Sequence, residues 1–252
     1  MADLTALLEA VVDAPTDDAP RLAYARAIAA SDPERAELIE LQLAVARARK
    51  THTAPPAGAL DREFRLIRDR GAAWAADVKP LVDKWQYLRG FVEVVTLPAA
   101  AFLQRAADLY RRAPVLHLDL TGAKPVAAAL FASPHLARLV SLKLAGEGLG
   151  DAEAKLLAAS PHLARLEWLD LSRNQIGAAG LEAIAASSHL PRLGYVSFAA
   201  NAVADPTPQH ADEYDADSAV AKQLQAKYGP RAWLTARQRS DWPPPRDAVE
   251  SP

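Results

Sequence analysis

Three histidines, His135, His162 and His189, stand 27 residues apart, each with a serine close before it: Ser133, Ser160 and Ser188. Two chemistries use such residues. Zinc needs ligands that converge at about 2.0–2.1 Å, each ring oriented by a further partner. Equivalent positions on neighbouring strands lie about 5 Å apart along a line, so a ladder of this kind does not converge. A serine nucleophile needs a base, an orienting group and oxyanion donors. Here the serines recur with the period, and no G-x-S-x-G turn accompanies them. The acidic run Asp212-Glu213-Tyr214-Asp215-Ala216-Asp217 lacks the glycine and final glutamate of a calcium loop. Gly146-Glu147-Gly148-Leu149-Gly150 lacks the Lys-Ser/Thr of a phosphate loop. The expectation is a chain with no catalytic residue, metal or cofactor, and no small-molecule substrate.

Composition narrows the classes further. The 252 residues carry a net charge of -2 and no cysteine. That excludes disulfides, thiolate metal sites and a cysteine nucleophile together. A near-neutral chain has no global field towards nucleic acid or anionic lipid. The start, Met1-Ala2-Asp3-Leu4-Thr5, puts acid where a signal peptide needs base. No run approaches the ~20 apolar residues of a spanning helix. These features predict a soluble cytoplasmic protein without a membrane partner.

The elements that position the histidines repeat with them. After each comes a strand-like pattern: Leu139-Val140-Ser141-Leu142-Lys143-Leu144, Leu166-Glu167-Trp168-Leu169-Asp170-Leu171 and Leu193-Gly194-Tyr195-Val196-Ser197-Phe198. Val115-Leu116-His117-Leu118-Asp119-Leu120 aligns with them at a spacing of 24, and Phe91 to Leu97 is an irregular first unit. Positions 1, 4 and 6 of each pattern are apolar and should point inward, where helices such as Leu157–Ala158 and Leu181–Ile184 return onto them. Position 9 holds Glu147, Asn174 and Asn201. Each unit covers its neighbour, and no unit buries its own core alone.

Residues 3–50 read as three short helices, opened by Asp3, by Thr16 or Asp17, and by Asp32-Pro33. Residues 47–59 read as a loop, 61–76 as a helix that Gly71 interrupts, and Lys79 to Leu88 as another short amphipathic piece. Phe91 onward gives the first strand signal. The domains expected are 1–89, helical; 90–204, repeating; and 205–252, an acidic linker, a short capping helix with Trp233 and Leu234, and a disordered tail from Pro243.

Leu166 to Leu181, with Asn174 and Gly177 at their places, resembles the long, ribonuclease-inhibitor-like class of leucine-rich repeats. The resemblance implies an α/β solenoid of short parallel strands and outer α-helices. Pro15 to Ala25, Asp32 to Gln42 and Arg89-Gly90-Phe91-Val92-Glu93 resemble the bacterial repeat-companion domain, a helical module placed ahead of such repeats. That family usually has Asp where this chain has Arg26. Together the resemblances span about residues 1–204 and imply a scaffold for protein–protein interaction.

Strand alternation places one set of side chains on the concave sheet face. Position 3 carries His117, Ser141, Trp168 and Tyr195; position 5 carries Asp119, Lys143, Asp170 and Ser197; Arg173 sits at position 8. Aromatics beside arginine are the residue types enriched in binding hot spots, and Asp119-Lys143-Asp170 alternates in sign across strands. A protein or peptide partner is expected there, anchored by Trp168, Tyr195 and Arg173. The alternative is that Trp233 or Trp242 of the same chain covers these rings. By analogy, a solenoid that regulates a small GTPase or kinase pathway is a second reading. The basic stretch Arg47-Arg49-Lys50 and Arg62-Arg65-Arg68-Arg70 offers nucleic-acid binding as a third, though no stacking aromatics or known module support it.

Overall fold

The computed structural model describes residues 3–203 and 219–235. The expected acidic linker 205–218, the tail from Pro243 and Trp242 lie outside the described residues. The fold is α/β, with ten α-helices and six mostly parallel strands among the described residues. They fall into two compact units, 3–96 with 105–116, and 97–104 with 117–203 and 219–235.

The first unit opens on three capped helices. Asp3 accepts from the Thr5 and Ala6 amides at the start of α1 (Leu4–Asp13), and Asp17 accepts from Ala19 at α2 (Asp18–Ile28). Asp32 caps α3 (Pro33–Lys50), with proline in its first turn, where the missing N–H costs nothing. α4 (Ala59–Trp74) is continuous through Gly71. The expected interruption is absent: Gly71 stays helical in a tight place, where a Cβ would lie 3.2 Å from Ile67 Cγ2 and 3.4 Å from Tyr87 Cε2, and the Tyr87 hydroxyl donates to its carbonyl at 2.8 Å.

The reading of Lys79 to Leu88 as one amphipathic piece needs correction. A single 3-10 turn, Lys79–Leu81, leads into β1 (Lys84–Leu88). Trp85 and Tyr87 alternate inward along it, a period of two that the preceding Lys-Pro disguised. β1 pairs antiparallel with β2 (Phe91–Pro98), of which residues 91–96 fall in the first unit. The two-residue connection Arg89-Gly90 has φ of +48° and +85°, as the tightest hairpins require. A Cβ at Gly90 would lie 2.4 Å from Ile39 Cγ1, so both φ and space select glycine.

α5 (Ala99–Arg112) follows. In the second unit β3 (His117–Thr121), β4 (Ser141–Lys143), β5 (Trp168–Asp170) and β6 (Tyr195–Ser197) run parallel in chain order. Between them, α6 (Ala127–Phe131), α7 (Asp151–Ala158) and α8 (Ala178–Ala186) pack in sequence on one another. Leu139, Leu142, Leu144, Leu166, Leu169, Leu171, Val196 and Phe198 have no exposed surface. Each such side chain contributes about 1.5–3 kcal/mol, and their common inward direction is what the period of the sequence encodes.

Two helices close the far end. α9 (Ala219–Tyr228) docks on α8 through Lys227 and the Tyr228 hydroxyl, both bonded to Glu182. Arg231 Nε donates to the Ala185 carbonyl at 2.9 Å, and Trp233 of α10 (Ala232–Thr235) lies 6.0 Å from Phe198 between ring centres. Trp233 and Leu234 thus pack on the last strand, as expected.

Candidate functional site

The strand register brings the two expected rows together. His117, Ser141, Trp168 and Tyr195 are successive partners across β3–β6, and Asp119, Lys143, Asp170 and Ser197 are the next row. Within the first row, Trp168 and Tyr195 stack, with ring centres 5.2 Å apart and planes within 1°. Both stay partly exposed. Such a pair adds about 0.5–1.5 kcal/mol beyond its buried area.

The other half of that row departs from expectation. His117 and Ser141 are 5% and 0% exposed, and His117 Nδ1 lies 2.8 Å from Ser141 Oγ. They are not available as a contact surface. Ser141 is too short to rise above the larger neighbours in register on either side, and its hydroxyl is used by the imidazole. The available face therefore begins at Trp168.

In the second row Lys143 Nζ bonds Asp119 at 2.9 Å, so one half of the alternating row pairs laterally. The pair is about one third exposed, and its contribution is at most ~1 kcal/mol. Asp170 Oδ1 accepts from the Ser172 amide at 2.8 Å, which turns that carboxylate towards its own strand exit.

Arg173 is exposed and has φ +57°. The equivalent residues of the other three units, Gly122, Gly146 and Ala200, have φ of +62°, +78° and +54°. The turn out of each strand therefore demands the left-handed region, which costs a residue with a Cβ roughly 1–2 kcal/mol. Two units meet the demand with glycine, whereas Arg173 and Ala200 bear the strain. Strain held at an exposed arginine is an observation from which function can be argued. Ala200→Gly should raise stability by about 1 kcal/mol, read as a higher urea midpoint. Arg173→Gly should do the same, and in addition remove the guanidinium from the face.

The turns themselves are held by the position-9 side chains. Asn174 Oδ1 accepts from the Leu149 amide at 3.0 Å, and its Nδ2 donates to Leu144, Leu171 and Ser172 carbonyls. Asn201 repeats this on Ile176, Leu171 and Phe198. Glu147 keeps only the accepting half, taking the Ala123 amide at 2.8 Å.

The serines and histidines also have a structural use. The hydroxyls of Ser133, Ser160 and Ser187 accept from the amides of His135, His162 and His189. Ser160 and Ser187 also donate to the Phe131 and Ala158 carbonyls, 29 residues earlier in each case. The third member is thus Ser187, with the same Ser-x-His spacing as the others, and not Ser188. Among the described residues no three His, Asp or Glu side chains are grouped to hold a metal ion.

A second polar centre, in the first unit, had no signal in periodicity. Arg21 is fully buried and pairs with Glu93 at 2.8 Å. It donates to the Pro15 and Arg89 carbonyls, and Arg89 closes on the same carboxylate at 2.9 Å. Burial pushes the Glu93 carboxyl up, against the pull of both guanidiniums, and brings Arg21 down to about 10. Nearby, buried Arg35 lies over the rings of Tyr87, Trp74 and Phe91 at 4.9, 5.1 and 5.3 Å. Gln42 fixes the hairpin by donating to the Tyr87 carbonyl and accepting from Gly90 at 2.6 Å. Only the companion-domain resemblance had drawn attention to Pro15, Arg21, Arg89 and Glu93, without giving them a role.

The basic stretch is partly neutralised. Arg62 binds Glu37 in a two-pronged pair, Arg68 binds Asp69, and Arg70 binds Glu34. No protein-family model, curated protein or solved structure matches this chain, and the reading of its function rests on the geometry above.

Proposed function

We propose that the chain is a non-enzymatic, cytoplasmic interaction module. In this reading the second unit is a ribonuclease-inhibitor-like leucine-rich-repeat solenoid, and the first is a repeat-companion module ahead of it. The period of 27, the in-register ladder and the paired Asn174 and Asn201 support the repeat assignment. One observation carries the function: a partly exposed, stacked Trp168–Tyr195 pair lies on the strand face, and the turn that leaves the Trp168 strand holds an exposed arginine, Arg173, at positive φ. Rigid aromatics offer large contact area at low entropic cost, and arginine adds directional donors. The favoured partner is a protein or peptide segment with an apolar anchor and a carboxylate. Exposed Arg173 also keeps a regulator of a GTPase or kinase pathway as a second reading.

Trp168→Ala with Tyr195→Ala should abolish capture of the partner in a pull-down while moving the melting temperature by only a few degrees. A collapse of stability would instead make the stack structural. Arg173→Gly sharpens the test, because it should bind less while melting higher; Ala200→Gly should melt higher with binding unchanged.

A further inference from the structure

Among the described residues, four large apolar side chains are exposed, and two of them, Leu60 (48%) and Phe64 (46%), sit one turn apart on α4. α3 and α4 run antiparallel, tied by Gln42 to Glu63 at one end and Asp32 to Trp74 at the other. The last turn of α3, with Arg47, Arg49 and Lys50, therefore lies at the end where α4 begins. Burial raises the Glu63 carboxyl, against the pull of its Gln42 hydrogen bond and of the Arg49 charge. Arg65 adds a fourth cation, next to Phe64 in sequence, and among the described residues none of these four makes an ion pair. The connecting residues 51–58 are all exposed, so the helix pair ends in a basic tip with two apolar side chains.

We propose that this tip docks on an anionic phospholipid surface, with Leu60 and Phe64 entering the headgroup boundary and Arg47, Arg49, Lys50 and Arg65 meeting lipid phosphates and carboxylates. Other occupants fit less well. Two side chains fall far short of the ~800 Å² per partner of a stable protein interface. A second copy would bring the same cations face to face. A nucleic acid would use the cations and could stack a base on Phe64, but it leaves the exposed aliphatic side chain of Leu60 without a role. Shallow, reversible insertion at a charged interface uses both features. The overall charge of -2 does not oppose this, since screening confines the attraction to charges within about 10 Å of the surface.

The test uses the full chain in co-sedimentation with phosphatidylcholine vesicles with and without phosphatidylserine, and with a single-stranded oligonucleotide as competitor. The chain should pellet with phosphatidylserine vesicles and stay in solution with phosphatidylcholine alone. Leu60→Ser with Phe64→Ser should lower that partition about tenfold, as should Arg47→Gln, Arg49→Gln and Lys50→Gln together, both with unchanged melting. No pelleting of the wild type, or equal pelleting of the Leu60→Ser/Phe64→Ser chain, overturns the proposal. So does oligonucleotide binding that displaces the vesicles and is indifferent to Leu60 and Phe64, which would restore the nucleic-acid reading.

Discussion

Arg21→Met costs the chain about 3–5 kcal/mol in a urea titration, because it strands a carboxylate in the core of the first unit. Glu93 is 1% exposed, and its charge is tolerated only through Arg21 and Arg89. With Arg21 gone, the Pro15 carbonyl keeps only its bond from Arg89, which is itself 2.9 Å from Glu93. Two further measurements separate this cause from simple loss of packing. First, Arg21→Met with Glu93→Met should recover much of the loss, since a well-packed apolar pair can replace a buried ion pair. Second, the single variant should be less destabilised at mildly acid pH. Burial already raises the Glu93 carboxyl above its ordinary value, and removing a cation raises it further. A raised acid binds its proton more tightly folded than unfolded, so that stability is full below the unfolded value and is lost as pH climbs through the folded one. A deficit independent of pH would show that the charge is not the cause.

How far the residues announce this fold depends on whether a feature is periodic. Leu142, Leu169 and Val196 repeat at one spacing, so their burial could be read directly, and the same spacing singled out Asn174 and Asn201. Helix starts at Asp3, Asp17 and Asp32 were legible because a capping side chain acts within three residues. What depended on contacts between distant segments was not. β1 was hidden because Trp85 and Tyr87 are inward only once the Arg89-Gly90 turn brings β2 alongside. The Arg21–Glu93 pair joins residues 72 apart (93 − 21), and no local pattern encodes that. On the strand face, alternation gave the row correctly but not the depth of each member: Ser141 is sunk between larger neighbours. The strain at Arg173 was also invisible, because backbone angle follows from the turn and Gly122 and Gly146 mark it only after alignment.

Asn174→Ala should be nearly as damaging to the second unit, at about 3–4 kcal/mol. The side chain is 7% exposed and serves four backbone groups at 2.8–3.2 Å. Two of these, the Leu149 amide and the Leu144 carbonyl, belong to the preceding unit, in residues that are themselves buried. Each buried group left unpaired costs about 1–3 kcal/mol, and water has little access to either. Asn174→Asp discriminates between the two halves of the side chain. It keeps an acceptor for Leu149 but turns a negative oxygen towards three carbonyls, so it should be no better than alanine at neutral pH. Glu147 shows that a carboxylate at this position can hold the accepted amide alone, yet it stands next to Gly146 and Gly148, which meet the positive φ without strain. Asn174 follows Arg173, which has no such freedom, and the asparagine bonds must stabilise that turn against its backbone. Combining Arg173→Gly with Asn174→Ala should therefore recover more than the roughly 1 kcal/mol that Arg173→Gly gives alone, and thermal melts of the single and double variants measure it. Simple additivity at that value would mean the turn's strain and its hydrogen bonds act independently, whereas a larger recovery would show that the bonds hold the arginine in place.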